Sequence, residues 1–116
     1  MPLRLTCHCG AIAVTADLDS PTEAIACNCS ICRRKGSLLA ATARSQLTVE
    51  AAPGALASYT FNKHVIQHHH CNTCGCAVFA EGEVNGQSLA MINLRCAEDL
   101  DLAAIKVIPF DGANRL

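Results

Sequence analysis

The hydrophobic pattern of this chain predicts a protein built mainly from short β-strands. Runs of alternating or β-branched apolar residues recur along the sequence, and turn-forming residues separate them. A period of two is typical of strands that bury one face. The predicted strands are residues 11–16, 23–26, 38–43, 47–49, 64–68, 77–80, 87–94 and 105–108.

Turns and short helical segments complete this pattern. Turns are predicted at residues 19–21, 52–54, 81–82 and 85–86, and the Asn85-Gly86 pair is a strong hairpin signal. Helix is scarce, because only residues 30–35 and 97–100 favour a helical turn. We therefore predict a mainly β, mainly antiparallel fold with little helix and with metal-binding loops.

Composition limits the size and the partners of this fold. The chain has 116 residues, which predicts a single domain over residues 1–116. Aromatic residues make up only 3%, so the core must consist mainly of Ala, Val, Ile and Leu. Nine Lys and Arg residues stand against ten Asp and Glu residues. That balance leaves no basic footprint for a polyanion, and we expect no nucleic acid partner.

The apolar segments also indicate where in the cell the protein is located. None reaches the roughly eighteen continuous apolar residues of a membrane span, and the N-terminus lacks the pattern of a secretory signal. We expect a cytoplasmic protein with no membrane partner. An odd number of cysteines, nine in all, then favours reduced thiols and metal ligation over a disulfide framework.

Eight of the nine cysteines fall into three tight clusters. The first cluster has the form Cys7-x-Cys9, and the third contains Cys71-x-x-Cys74 followed by Gly75, which is the form of a zinc knuckle. Together these two half-sites would complete a closed, structural zinc site with four thiolate ligands. Buried thiols without metal, or another pairing of the clusters, are the alternatives.

The middle cluster supplies three thiols, Cys27, Cys29 and Cys32, with no obvious fourth ligand nearby. Three protein ligands and an open position are typical of a catalytic zinc, and a thiolate-rich site would accept an incoming thiol. The alternatives are a second structural zinc completed by a histidine, or a redox thiol cluster. Arg33, Arg34 and Lys35 follow directly; they are either a solvated charge run or partners for the carboxylates of an acidic ligand.

Other residues near the clusters are weaker candidates for metal ligands. One residue of His68-His69-His70 could complete the middle zinc, although a solvated edge or a hydrogen bond to a thiolate is the more common role. Alternation would place His68 and His70 on one face of a strand and His69 on the other. His8 is expected at the surface. We expect Cys76 to be a small buried side chain and Cys96 to line the core or a site.

These residues resemble the glutathione-dependent formaldehyde-activating enzyme family, also called the GFA or centromere-protein-V domain family. The matching segments are CHCGA at residues 7–11, CNCSICRRKG at 27–36, CNTCG at 71–75, NLRC at 93–96 and FDG at 110–112. His70 departs from the family, where an apolar residue is expected before the knuckle.

The resemblance implies a β-tent fold of small stacked antiparallel sheets. It also implies two zinc ions, a structural one on Cys7, Cys9, Cys71 and Cys74 and a catalytic one on Cys27, Cys29 and Cys32. The implied activity is a carbon–sulfur lyase reaction that joins glutathione, as co-substrate, to formaldehyde. A non-catalytic zinc-stapled domain that binds glutathione or another protein is the alternative, and the oligomeric state stays open.

Overall fold

The computed structural model describes residues 2–115, and within them ten strands form two sheets. The strands are β1 Leu3–Thr6, β2 Ile12–Ala16, β3 Glu23–Cys27, β4 Leu39–Ala43, β5 Leu47–Ala51, β6 Leu56–Tyr59, β7 Gln67–Cys71, β8 Phe79–Val84, β9 Gln87–Asn93 and β10 Lys106–Phe110. The α-helices are α1 Ser30–Lys35 and α2 Gly112–Arg115, and 3₁₀ turns cover Arg44–Gln46, Leu94–Cys96 and Leu102–Ala104.

The smaller sheet has the strand order β1-β2-β5, and the larger has the order β10-β3-β4-β9-β8-β7-β6. All pairs are antiparallel except β10 with β3, which is parallel. The chain reaches β10 through a long connection after β9, and parallel neighbours need such a connection. The predicted mainly β fold is confirmed, with one parallel pair at the edge of an antiparallel arrangement.

The core lies between the two sheets. Ile12 and Val14 of the small sheet and Ile92 of the large sheet are fully buried, and they belong to one hydrophobic cluster with Phe79. Side chains of a strand alternate between its two faces, so one face of the large sheet packs on the small sheet. We call this the core face. The opposite face, which carries Cys27, Leu39, Met91, Ala80, His68 and Tyr59 by the strand register, is called the open face.

Several sequence predictions need correction at the level of elements. Strands β1 and β6 were not predicted, and the strand predicted at residues 64–68 lies at Gln67–Cys71. The turn predicted at residues 81–82 is wrong, because both residues lie inside β8. The helical turn predicted at residues 97–100 is instead a hydrogen-bonded turn, with the Leu100 amide 3.3 Å from the Ala97 carbonyl.

The contacts of Gly82 explain why the turn prediction at residues 81–82 is wrong. A Cβ atom on this glycine would lie 2.7 Å from Ile66 Cδ1 and 2.8 Å from the Val65 carbonyl oxygen. The glycine therefore marks a close approach of another segment to the strand and not a change of chain direction. No helix within residues 2–115 has the length and apolar character needed to cross a membrane.

Candidate metal centres

The four-thiol group consists of Cys7, Cys9, Cys71 and Cys74. Cys7 and Cys9 lie in the turn between β1 and β2, whereas Cys71 ends β7 and Cys74 lies in the turn that follows. Both turns end at a left-handed glycine, Gly10 and Gly75, each with a φ of 81°. The Gly10 amide bonds the Cys7 carbonyl at 3.2 Å, and the Gly75 amide bonds the Cys71 carbonyl at 2.9 Å.

The spacing of the four sulfur atoms fits a tetrahedral metal ion. All four Sγ atoms lie within 4.8 Å of one another. The Sγ atoms of Cys7 and Cys9 are 3.7 Å apart, and those of Cys9 and Cys71 are 3.6 Å apart. Sulfurs at about 2.3 Å from a tetrahedral zinc are about 3.8 Å from each other, whereas a disulfide bond is about 2.05 Å long. This group could therefore hold a metal ion, and these contacts are not disulfides.

Backbone amides stabilise negative charge on these sulfurs. Cys7 Sγ accepts from the Ile12 amide at 3.3 Å, and Cys71 Sγ accepts from the amides of Thr73 and Cys74 at 3.4 Å. The amides of Cys74 and Thr73 lower the pKa of Cys71. Hydrogen bonds from the amides of Cys76 and Cys9 lower the pKa of Cys74 to about 5. Thiolates that already accept N–H bonds are the form that ligates zinc.

Cys9 shows the opposite effect. The Ala11 amide lowers its pKa, but hydrogen bonding with Cys71 and burial outweigh that amide and raise the pKa to about 11. Crowded thiolates repel one another, so one of them retains its proton unless a cation shares the group. The arrangement thus suits a divalent ion.

The three-thiol group consists of Cys27, Cys29 and Cys32, whose Sγ atoms also lie within 4.8 Å of one another. Cys27 ends β3, Cys29 precedes α1, and Cys32 lies in α1. All three side chains are half-buried. Within residues 2–115 no histidine, carboxylate or fourth thiol joins this group at that distance. The group could hold a metal ion and would leave one tetrahedral position free.

The pKa values of Cys29 and Cys32 in this group are shifted in opposite directions. Burial, with the adjacent Cys29 and Cys27 thiols, raises the pKa of Cys32 to about 12. Burial would raise the pKa of Cys29 as well, but the Cys32 amide and the neighbouring thiols outweigh it and lower the pKa. The Cys29 amide lies 3.5 Å from Cys27 Sγ. A cation would offset the mutual repulsion of these sulfurs.

Asn28, between the first two thiols, fixes this loop to the C-terminal segment. Its side-chain amide donates to Asp111 Oδ1 at 3.0 Å, and its side-chain oxygen accepts from the Ala113 amide at 2.9 Å. Its backbone amide donates to the Phe110 carbonyl at 3.2 Å. Hydrogen bonds from Asn114 and Asn28 lower the pKa of Asp111. No local sequence pattern predicts this role, because Asn28 and its partners are more than eighty residues apart.

The cations after Cys32 lie in the last turn of α1 and are exposed. Arg34 Nη1 donates to the Ser30 carbonyl at 2.7 Å, so this guanidinium binds its own helix. Burial and then the Lys35 charge lower the pKa of His68 on β7. Contact of Arg33, Arg34 or Lys35 with a ligand stays a prediction.

The histidine run does not join either thiol group. His69 is buried, and its Nδ1 lies 2.7 Å from Ser58 Oγ, while its ring packs on Phe79 at 4.6 Å. Its Nε2 lies 3.6 Å from Glu81 Oε1. His68 and His70 lie on the opposite face of β7 and are half-buried. The alternation predicted for the run is thus observed, and a completing histidine ligand is not.

The remaining cysteines lie beside the four-thiol group without joining it. Cys96 Sγ lies 3.7 Å from the Ala77 carbonyl, and Cys76 and Cys96 both pack against the core cluster. Burial and then the neighbouring thiols Cys76, Cys7 and Cys74 raise the pKa of Cys96 to about 11. Its environment therefore favours the protonated thiol. His8 is exposed, as expected.

Comparison with known proteins agrees with this geometry. The family model described as glutathione-dependent formaldehyde-activating enzyme matches residues 2–107. The chain belongs to this family. Among solved structures, the crystal structure of a Rhodobacter sphaeroides protein is similar, with a TM-score of 0.78 and 27% sequence identity. The match covers 91% of this chain and 100% of the Rhodobacter chain. Family membership and the two thiol groups together identify a GFA-type domain suited to binding zinc.

Proposed function

We propose that the protein is a zinc-dependent carbon–sulfur lyase of the GFA type, which adds glutathione to formaldehyde or a related small aldehyde. One observation carries the proposal: Cys27, Cys29 and Cys32 bring three sulfurs within 4.8 Å of one another, without a fourth protein ligand among residues 2–115. The family match supports this reading, since its description names both glutathione and formaldehyde.

Zinc in this group would accept a thiol in its open position and favour the thiolate, which is the nucleophile. In the reaction the thiol sulfur forms a bond to the aldehyde carbon, and the carbonyl π bond breaks. The thiol proton ends on the former carbonyl oxygen, so the atoms balance without an oxidant or a reductant. The half-buried position of the three cysteines lets a thiol enter from solvent while it limits competition from water.

The two thiol groups would have different roles. The four-thiol group offers no vacancy, so its zinc would be structural. It would join the β1–β2 turn of the small sheet to the end of β7 in the large sheet. The three-thiol group, with Asn28 and α1 around it, would be the catalytic centre.

The zinc content of the purified protein tests the assignment. Elemental analysis should find two zinc ions per chain, and Cys29→Ser should lose one of them while the fold persists. The rate of S-hydroxymethylglutathione formation should exceed the spontaneous rate with the wild-type protein only. A single zinc ion per chain that is retained in Cys29→Ser would contradict the proposal. The protein would then be a non-catalytic domain stabilised by zinc.

A further inference from the structure

The three-thiol group differs from the four-thiol group in having an odd number of sulfurs. Cys27, Cys29 and Cys32 place their Sγ atoms within 4.8 Å of one another, and within residues 2–115 no fourth ligand joins them at that distance. Three thiolates carry one more negative charge than a divalent ion neutralises, and they leave a tetrahedral ion with one open position. The group therefore also suits a trivalent element that forms three bonds to sulfur.

Trivalent arsenic has this bonding. It is a soft centre that forms three bonds and keeps a lone pair in the fourth direction, so three sulfurs complete its coordination. Its three positive charges also balance three thiolates, and a neutral complex costs less to hold in a half-buried site than a charged one. Arsenite, its dissolved form, is a small uncharged molecule at neutral pH. It can therefore reach the thiols without an anion-binding site.

Hydrogen bonds that do not involve sulfur fix the backbone around the three thiols. The Arg33 amide donates to the Cys29 carbonyl at 2.9 Å, and the Gly36 amide donates to the Cys32 carbonyl at 3.0 Å. The side chain of Asn28 joins the loop to the C-terminal segment. A loop held in this way keeps its three sulfurs together when the element that they bind changes. Little ordering is then needed for a new element to bind.

The four-thiol group is a poorer site for the same element. Three bonds to arsenic would leave its fourth thiol without a partner. Cys7 and Cys71 of this group are only 3% and 1% exposed, whereas the cysteines of the three-thiol group are half-buried. Arsenic in the four-thiol group would thus require a closed site between the two sheets to open. We expect arsenic to enter the three-thiol group first.

The three cysteines should also hold arsenic against free thiols. Arsenite can bind three separate thiol molecules, but each of them loses its translational freedom on binding. The three cysteines belong to one short loop, and a short connection raises the effective concentration of a second ligand to the millimolar range. An excess of a monothiol such as glutathione should therefore not remove arsenic from the protein.

We propose that the three-thiol group is a binding site for trivalent arsenic, taken up from arsenite. Three S–H bonds and three As–O bonds break, and three As–S bonds form. The thiol protons leave with the three hydroxyl groups as water, and arsenic stays trivalent, so neither an oxidant nor a reductant is needed. Where the group holds zinc, the zinc ion leaves and the three protons come from solvent.

This binding goes beyond the proposed function, because it depends on the three thiols alone. It has one consequence for the reaction proposed above. The lone pair of arsenic leaves no open position for an incoming thiol, so bound arsenic blocks the reaction. That consequence rests on the proposed function, whereas the binding does not.

Incubation of the purified protein with one equivalent of arsenite per chain, in a large excess of glutathione, tests the proposal. After removal of unbound arsenite, elemental analysis should find one arsenic atom gained and one zinc ion lost per chain. Relative to the metal-free protein, the intact mass should increase by one arsenic atom less three hydrogen atoms, with no glutathione attached. X-ray absorption at the arsenic edge should show three sulfur neighbours and no oxygen.

Cys29→Ser is the variant that tests the site. Cys29 is the N-cap residue of α1, its side chain makes no capping hydrogen bond, and it lies outside the core cluster. Serine is a preferred N-cap residue, so the fold should persist. With two sulfurs left, equilibrium dialysis should show arsenic bound at least about tenfold more weakly, a loss of about 1.4 kcal/mol.

Cys96→Ser is the matched control, because it removes a half-buried thiol that lies outside both groups. Its affinity for arsenic should stay within about twofold of the wild-type value, which is about 0.4 kcal/mol. The circular dichroism spectrum of the arsenic-bound wild-type protein should match that of the zinc-bound protein, since the four-thiol group is left intact.

The outcomes separate this inference from the proposed function. If the wild-type protein retains no arsenic, or if Cys29→Ser retains it equally well, the inference is overturned and the proposed function stands. Fewer than three sulfur neighbours around arsenic would also overturn the inference. If arsenic binds as expected but the rate of S-hydroxymethylglutathione formation is unchanged, the binding site is supported. In that case the reaction does not use the open position, and the proposed function fails.

Discussion

Asn28 carries no thiol, but its hydrogen bonds hold the loop that supplies the middle cysteines. Its side chain joins the loop between Cys27 and Cys29 to Asp111 and Ala113. Residues that hydrogen-bond around a metal site typically change metal affinity about 10–100-fold when they are replaced. Asn28→Ala should therefore weaken zinc binding at the three-thiol group by about tenfold or more.

Competition with a metal-binding dye measures this loss. Zinc at the four-thiol group should keep its wild-type affinity, since Asn28 does not contact that group. Asn114→Ala is the matched control, because Asn114 also donates to Asp111 but does not belong to the cysteine loop. Equal losses in both variants would mean that Asp111, and not the Asn28 contact, governs the loop.

His69 is a buried residue with a structural role. It packs on Phe79 and bonds Ser58, and Glu81 faces its other nitrogen while also binding Arg44. His69→Ala opens a cavity and leaves these groups unpaired, so it should lower the free energy of unfolding by about 2–4 kcal/mol. Ser58→Ala should lower it by about 1 kcal/mol. Urea unfolding of the zinc-loaded protein measures both values.

The stability supplied by His69 should also depend on pH. Burial lowers the pKa of this imidazole, despite the opposing effect of Glu81. The unfolded chain therefore binds the proton more readily, and stability is lost as the pH falls below the ordinary value of about 6.5. The stability difference between wild type and His69→Gln should shrink from about pH 7.5 to about pH 6. A constant difference would contradict this account.

At the level of elements, α1 depends on a single glycine. Gly36 ends the helix with a φ of 68°, and its amide bonds the Cys32 carbonyl at 3.0 Å. A Cβ there would meet no atom within 4 Å, so Gly36→Ala introduces only backbone strain. That strain should lower stability by about 1 kcal/mol. Gly36→Asn should cost less, because asparagine tolerates this conformation, and thermal unfolding of the two variants gives the comparison.

The elements that sequence predicts well are those with a local cause. Strand β9 alternates clearly and follows the Asn85-Gly86 hairpin, and α1 begins directly after Cys29 of the middle cluster. The turn prediction at Gly82 is wrong because the reason for this glycine is remote in sequence: the β6–β7 loop lies against it. A glycine that admits a distant segment has the same local signal as a glycine in a turn.

The same distinction holds for the sites. The three-thiol group and each half of the four-thiol group could be predicted because cysteine spacing is a local signal. Both predicted groups are brought together within 4.8 Å. The ring stack of Tyr59, Phe61 and His68 could not be predicted, since it needs the register of β6 with β7 and two left-handed residues in the loop between them. Likewise the contacts of Asn28 depend on where the C-terminal segment lies.

For the whole molecule, the four-thiol group connects the two sheets. Cys7 and Cys9 belong to the turn of the small sheet, and Cys71 and Cys74 belong to the end of β7 in the large sheet. With only 3% aromatic residues, the core between the sheets is made mainly of small aliphatic side chains. A metal that joins the sheets should therefore contribute much of the stability, as it does in other small domains.

With zinc in both thiol groups, as proposed, this arrangement predicts that chelation removes the two ions in separate steps. Zinc in the three-thiol group would have an open position that a chelator can attack, so it should leave first while the circular dichroism spectrum stays unchanged. The four-thiol zinc should leave more slowly, and its loss should coincide with unfolding. Cys74→Ser should reproduce the second step without chelator. Loss of both ions in one step, or a Cys74→Ser protein with the wild-type melting temperature, would show that the sheets do not depend on this metal.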